Sequence, residues 1–325
     1  MWRDSCRDLA RAIAEPETGA RGGDRRFGDL GIFDMLDQAD AAMIEFCILF
    51  EELGRTAYRG ALLESLTGRL AARDLGRRGS EGNLMLLLQA GGVVATEAGP
   101  TLHGYWYDVA DVGGVEHLAF RVGAGVAVVE ASEPGVRLTS RTGIDGASTV
   151  TVAVDVPLAG PHDRRLLGSA ASALARAEQL QRILRAAEMV GGASEVIERA
   201  VAYTREREVF GRPIARFQAV QHALATAELH RWVAWLAVYE AAAAGCLDEL
   251  DTQPAKSARA VFAAGRAYLL ATTTAAHVIA GIGHIDGHWL PAYYARAKAL
   301  DLRSGGGDGR ALDCLAAAGG VPDGE

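Results

Sequence analysis

Three things are scarce in this 325-residue sequence, and each narrows the classes of function open to it. Lysine is nearly absent, with Lys256 and Lys298 the only two. Cysteine is limited to Cys6, Cys47, Cys246 and Cys314, with no CxxC pair and no histidine at ligand spacing, so neither a disulfide framework nor a metal site is implied. Hydrophobic residues make up 50% of the chain but form no run of the ~18 that a membrane span needs. The opening residues from Met1 to Asp8 also lack the apolar stretch of a signal peptide, which predicts a cytoplasmic protein with no membrane partner. The net charge of −8, without a basic stripe, argues against nucleic acid. Arginine takes the place of lysine. Most arginines solvate helix faces, but the type supplies fork-shaped donors suited to phosphate oxygens.

The length allows two or three packed units. Pattern divides the chain into an N-terminal helical domain over 1–90, a small antiparallel β domain over 91–160, and a helical bundle with a Gly-rich tail over 161–325. In the first zone, Leu9, Ile13 and the stretch from Asp40 to Leu70 carry apolar residues three and four apart, and Cys47 is expected as a small core residue. In the second, Val122 to Glu130 and Thr149 to Asp155 are rich in β-branched residues and bounded by turns at Glu133-Pro-Gly135 and Gly143 to Gly146. In the third, helices are predicted over 164–204, 213–245, 252–281 and 288–302, antiparallel because their connections are short. The fold class is therefore α+β, ending in an antiparallel four-helix bundle.

The stretch from Tyr203 to His222 interrupts that bundle. A helix breaks at Gly211-Arg212-Pro213 and resumes with Gln218 and Gln221, so an arginine, an aromatic ring and two amides surround one turn. Such a turn suits a ligand carrying phosphate and a ring. The alternative for Arg207 is an ion pair with Glu206 or Asp251 on the helix surface.

Arg207, Phe210, Gly211 and Gln218 fall on the arginine-x-x-Phe-Gly…Phe-Gln pattern, and the chain resembles the flavin-dependent acyl-CoA dehydrogenases. Further resemblances follow in order: Phe50-Glu-Glu-Leu-Gly-Arg55 with Leu62-Leu-Glu-Ser65, Leu102-His-Gly104, Pro134-Gly-Val136, His277-Val-Ile-Ala-Gly-Ile-Gly283 and Tyr294-Ala-Arg-Ala-Lys298. The resemblance implies FAD as cofactor and an acyl-CoA thioester as substrate. Arg207 would meet the pyrophosphate of an FAD held mainly by a neighbouring subunit, Phe210 would pack near its adenosine, and Gln218 would hydrogen-bond it. His277, Gly281 and Gly283 would approach a phosphate, with His277 and Ala280 replacing the usual glutamine and glycine. Arg182 would lie on the substrate side.

The same resemblance implies a carboxylate base at one of two positions. Here Gln181 and Ser304 stand there, and neither can remove a proton as a carboxylate does. Glu178, three residues from Gln181, is the candidate if the register shifts by a helical turn. The stretch from Leu86 to Gly92 replaces a Thr-Glu-Pro-type loop. Three readings follow. The chain completes the FAD site of a paralogous partner in a heterotetramer of the steroid side-chain type, it is a self-sufficient homo-oligomeric dehydrogenase using Glu178, or it is a non-redox acyl-CoA- or flavin-binding module. Small residues at Gly191, Gly192 and Ala193 are read as leaving a roomy cleft for a bulky acyl group.

Overall fold

A computed structural model describes residues 2–14, 31–32, 39–75, 83–96, 99–122, 125–160, 163, 165–167, 171–246, 253–285, 287–307 and 309. Asp251 and the end of the Gly-rich tail, from residue 310, lie outside them. The chain folds as two compact units. The first comprises Met1–Glu15, Gln38–Tyr58 and Arg182–Glu325; the second comprises Pro16–Asp37 and Arg59–Gln181.

In the first unit, α1 (Trp2–Ala14) packs on α2 (Ala39–Arg55), and α2 packs on a later helix, α5 (Gln218–Cys246). The unit's other described helices are α4 (Ala171–Glu206), which belongs to this unit from Arg182 onward, α6 (Gln253–Ile279) and α7 (Leu290–Arg303), with α6 lying against both α5 and α7. The zone 1–90 is thus not one body. Its first two described helices join the C-terminal helices, while α3 (Leu62–Asp74) packs on the sheet of the second unit. Backbone contact between α2 and α4 explains the first half of this division. A Cβ at Gly191 would sit 1.8 Å from the Glu51 carbonyl oxygen, and one at Gly54 would sit 1.9 Å from that of Glu188. A Cβ at Gly192 would fall 2.4 Å from the Tyr268 ring. The small residues read as cleft space therefore serve close packing: Gly191 admits α2, Gly192 admits a fully buried tyrosine, and Ala193 is itself buried. Cys47 is buried as expected.

Among its described residues, the second unit holds a seven-stranded sheet in the order β5-β6-β2-β1-β3-β4-β7. They are β1 (Asn83–Thr96), β2 (Gly99–Ala110), β3 (Val115–Val122), β4 (Gly125–Glu130), β5 (Val136–Thr142), β6 (Ser148–Pro157) and β7 (Leu166–Leu167). Every pairing is antiparallel except β1 with β3. That exception follows from chain order: β2 reverses against one edge of β1, and β3 reverses again before docking on the other edge. β1 pairs with β3 through Gly91 and with β2 from Gly92, so the stretch read as replacing a loop is strand. Alternate residues Val150, Val152, Val154 and Val156 of β6 enter a core with Leu102, Trp106, Leu118 and Phe120. Another cluster joins α3 and the start of α4 to the sheet through Ala71, Ala119, Val126, Val128, Leu174 and Ala177. Arg165 ties the strand ends together by bonding Asp163, Glu133 and the Pro157 carbonyl. These hydrogen bonds from Arg165 hold the buried Asp163 carboxyl far below the usual carboxylate range. Among the described residues, no helix is long and apolar enough to cross a membrane.

Candidate functional site

Helix α4 ends where the Arg207 amide donates to Tyr203, its last bond of helical spacing. The chain then forms a two-residue hairpin, pairing β8 (Glu208–Val209) with β9 (Arg212–Pro213) around Phe210 and Gly211. Both turn residues have positive φ, 54° and 74°, as a type I′ hairpin turn requires. Gly211 adopts that backbone without penalty, whereas an aromatic residue is strained there by about 1 kcal/mol or more. The Ile214 amide donates to the Arg207 carbonyl and locks the base of the hairpin. Arg212 lies over the Phe217 ring at 4.3 Å. Phe210 is 91% exposed, projected outward on a backbone that only a tight turn imposes. The exposed Arg207 guanidinium has no ion-pair or hydrogen-bond partner among the described residues, so the alternative pairing with Glu206 is not formed. Gln218 opens α5 and is exposed, while the Gln221 amide is turned back to the Ala215 carbonyl.

The other expected phosphate-approaching residues lie at the end of α6. His277 is exposed on its last turn, and a short 3₁₀ turn, Ala280–His284, follows. Gly281 is exposed with open space about its Cα; Gly283 is buried against Leu290 and Ile279. Ala280 has φ 58°, the left-handed backbone that the more usual glycine would adopt freely.

The candidate base positions behave differently. Gln181 is 3% exposed, and its Oε1 has no hydrogen-bond partner among the described residues. The Ser304 hydroxyl donates to the Leu300 carbonyl at 2.7 Å and ends α7. Glu178 is engaged by Arg121 at 3.0 Å, within the second unit. That guanidinium occupies one of the carboxylate oxygens. Arg182 is half-buried on α4.

Two features escaped the sequence. Glu188 and Arg296 form a buried ion pair, with Arg296 Nη2 and Nε donating to Oε1 at 2.7 and 2.9 Å. Arg296 lies in the motif around Tyr294, but nothing in the pattern identifies a partner 108 positions away. The other is a cavity of about 770 Å³ bounded by α2, α4 and α5. Beside it, Arg55 bonds Glu195 and Glu198. Burial pulls the Arg55 pKa down, but the Glu198 hydrogen bond and the surrounding carboxylates outweigh it and leave the pKa raised.

Residues 172–317, which contain every one of the positions expected to bear on cofactor, substrate or base, match the family model "Acyl-CoA dehydrogenase, C-terminal domain". This stretch is an acyl-CoA dehydrogenase C-terminal domain. The acyl-CoA dehydrogenase IpdE2 of Mycolicibacterium smegmatis is 35% identical over 116 residues, covering 35% of each protein. The 3-(aryl)acrylate reductase of Clostridium sporogenes is 30% identical over 121 residues, 37% of this chain and 31% of that one. The chain thus matches about a third of the length of these curated relatives. Likeness of fold extends further. The ChsE4-ChsE5 complex from Mycobacterium tuberculosis superposes with a TM-score of 0.78 over 99% of this chain and 98% of that one, at 22% identity. The Tcur3481-Tcur3483 steroid ACAD, in a variant form, gives 0.79 over 98% and 96%, also at 22% identity. The acyl-CoA dehydrogenase fold therefore accounts for the helices and the sheet alike.

Proposed function

We propose that this chain is a subunit of a heteromeric, FAD-dependent acyl-CoA dehydrogenase, and that it completes the flavin site of a paralogous partner without supplying the base. The observation that carries this reading is the hairpin after α4. It exposes an aromatic ring on a strained backbone beside an arginine with no described partner. Strain of this kind is characteristic of binding positions. The residues present fit FAD. The Arg207 fork suits the pyrophosphate oxygens, Phe210 offers a face to the adenosine, and the Gln218 amide can donate or accept. Gly281 leaves its backbone open to a phosphate, with His277 a further donor nearby in sequence. When bound, FAD supplies the hydride acceptor for α,β-desaturation.

Removal of the α-proton needs a desolvated carboxylate. Gln181 and Ser304 cannot provide one, and Glu178 is committed to Arg121. Gln181 instead offers a buried amide oxygen able to accept a hydrogen bond. Helices α4 to α7 act as the four-helix bundle of a cytoplasmic, oligomeric enzyme. A bulky steroid-type acyl-CoA is the substrate class suggested by the fold likeness to the steroid ACAD.

The test is acyl-CoA-dependent dye reduction by the chain expressed alone and with a paralogous acyl-CoA dehydrogenase subunit. Activity is expected only in co-expression, and Glu178→Gln should leave it unchanged. Turnover by the chain alone that Glu178→Gln abolishes establishes the self-sufficient enzyme instead. Tight thioester binding by calorimetry without turnover in either preparation establishes the non-redox module.

A further inference from the structure

The cavity bounded by α2, α4 and α5 has no part in that reading. Its volume of about 770 Å³ lies within the ~300–1,000 Å³ of small-molecule sites. One wall is aromatic. Trp232 and Trp235 meet edge to face at 5.6 Å, and Tyr239 stacks behind Trp235 at 4.6 Å. Arg231 covers one face of Trp232 at 4.7 Å, yet the indole remains 49% exposed. An indole this open at a cavity rim leaves apolar area available to a ligand ring.

Six charged side chains line the same space, and five of them are already engaged. Arg55 bonds Glu198 and Glu195, Arg231 is clasped by both oxygens of Glu228, and Glu51 accepts the Tyr239 hydroxyl at 3.1 Å. The sixth is Arg205. It is exposed on the last turn of α4 and has no ion pair or hydrogen bond among the described residues. A carboxylate or similar oxyanion is the group that a free guanidinium binds best, through paired N–H donors. The ring wall and the unengaged fork together specify a two-part ligand.

We propose that this cavity binds a small planar aromatic carboxylate, its ring against Trp232 and Trp235 and its anionic group on Arg205. The site is carried by this chain alone and requires neither flavin nor partner.

Calorimetric titration of the full chain with naphthalene-2-carboxylate tests it, with the neutral naphthalene-2-carboxamide as comparison. Saturable one-to-one binding of the carboxylate is expected, with Kd below about 1 mM. Arg205→Gln should weaken the carboxylate roughly tenfold and leave the amide unchanged, whereas Arg205→Lys should retain most of the affinity. Trp232→Leu should weaken both ligands. Absence of saturation, equal binding of acid and amide, or an Arg205→Gln chain with undiminished carboxylate affinity would each overturn the proposal. Arg205 is exposed, so its variants remain decisive even if Trp232→Leu fails to fold.

Discussion

The two halves of helix α4 follow opposite rules. Through its first two-thirds, polar side chains are buried or compensated: Glu178 is held by Arg121, Glu188 by Arg296, and Gln181 lies almost wholly out of solvent. At its C-terminal end and in the hairpin that follows, Arg205, Arg207 and Phe210 are exposed, the two arginines without described partners, and the backbone at the phenyl ring is strained. Burial makes an uncompensated charge costly, so the first region spends its charges internally. Exposure removes that penalty, so the tip can keep cation and ring available for a ligand. Internal compensation and open presentation are thus separated along one stretch of chain.

The contrast breaks most directly at the buried pair. Glu188→Gln should cost about 3–5 kcal/mol in urea unfolding because it strands the Arg296 guanidinium. Replacing both residues, Glu188→Leu with Arg296→Met, should regain most of that loss. A loss below 1 kcal/mol in the single variant would mean that the core of α4 does not depend on compensation. Next in size, Asp163→Asn should destabilise the chain by roughly 2–3 kcal/mol. Because Asp163 titrates far below its ordinary value, its contribution is complete above about pH 4 and fades as pH falls toward the depressed folded value. Acid unfolding should therefore show a smaller dependence on pH in Asp163→Asn than in the wild type.

Smaller still, Ala280→Gly should stabilise by up to about 1 kcal/mol, since glycine relieves the left-handed backbone. Differential scanning calorimetry should register this as a modest rise in Tm. At the tip of α4, Arg207→Ala and Phe210→Ala should change stability by no more than about 0.5 kcal/mol in the isolated chain. A loss above 2 kcal/mol at either residue would erase the distinction between the two regions.

Much of this fold could be read from local pattern. Predicted helices over 213–245, 252–281 and 288–302 appear as Gln218–Cys246, Gln253–Ile279 and Leu290–Arg303, because helical period and breakers such as Pro213 are short-range signals. Long-range relations were less legible. The parallel register of β1 and β3 depends on where β2 docks, and Glu188 finds its partner only after α7 returns. Gly191 and Gly192 illustrate an ambiguity of another kind: a missing side chain permits either open space or close contact, and here it permits contact. At the candidate site, resemblance singled out Arg207, Phe210 and Gln218, whereas Arg205 and Trp232 belong to no recognisable motif and acquire meaning only from the cavity they share.

The role proposed for the hairpin is to serve a flavin held mainly by another subunit. It is tested most directly by the visible absorption spectrum of the purified chain, alone and with its paralogous partner, in wild-type and Arg207→Ala forms. A colourless chain alone is expected, with a flavin spectrum in the wild-type complex and loss of that flavin in an otherwise intact Arg207→Ala complex. A yellow isolated chain, or a complex that keeps its full flavin content without Arg207, would contradict it.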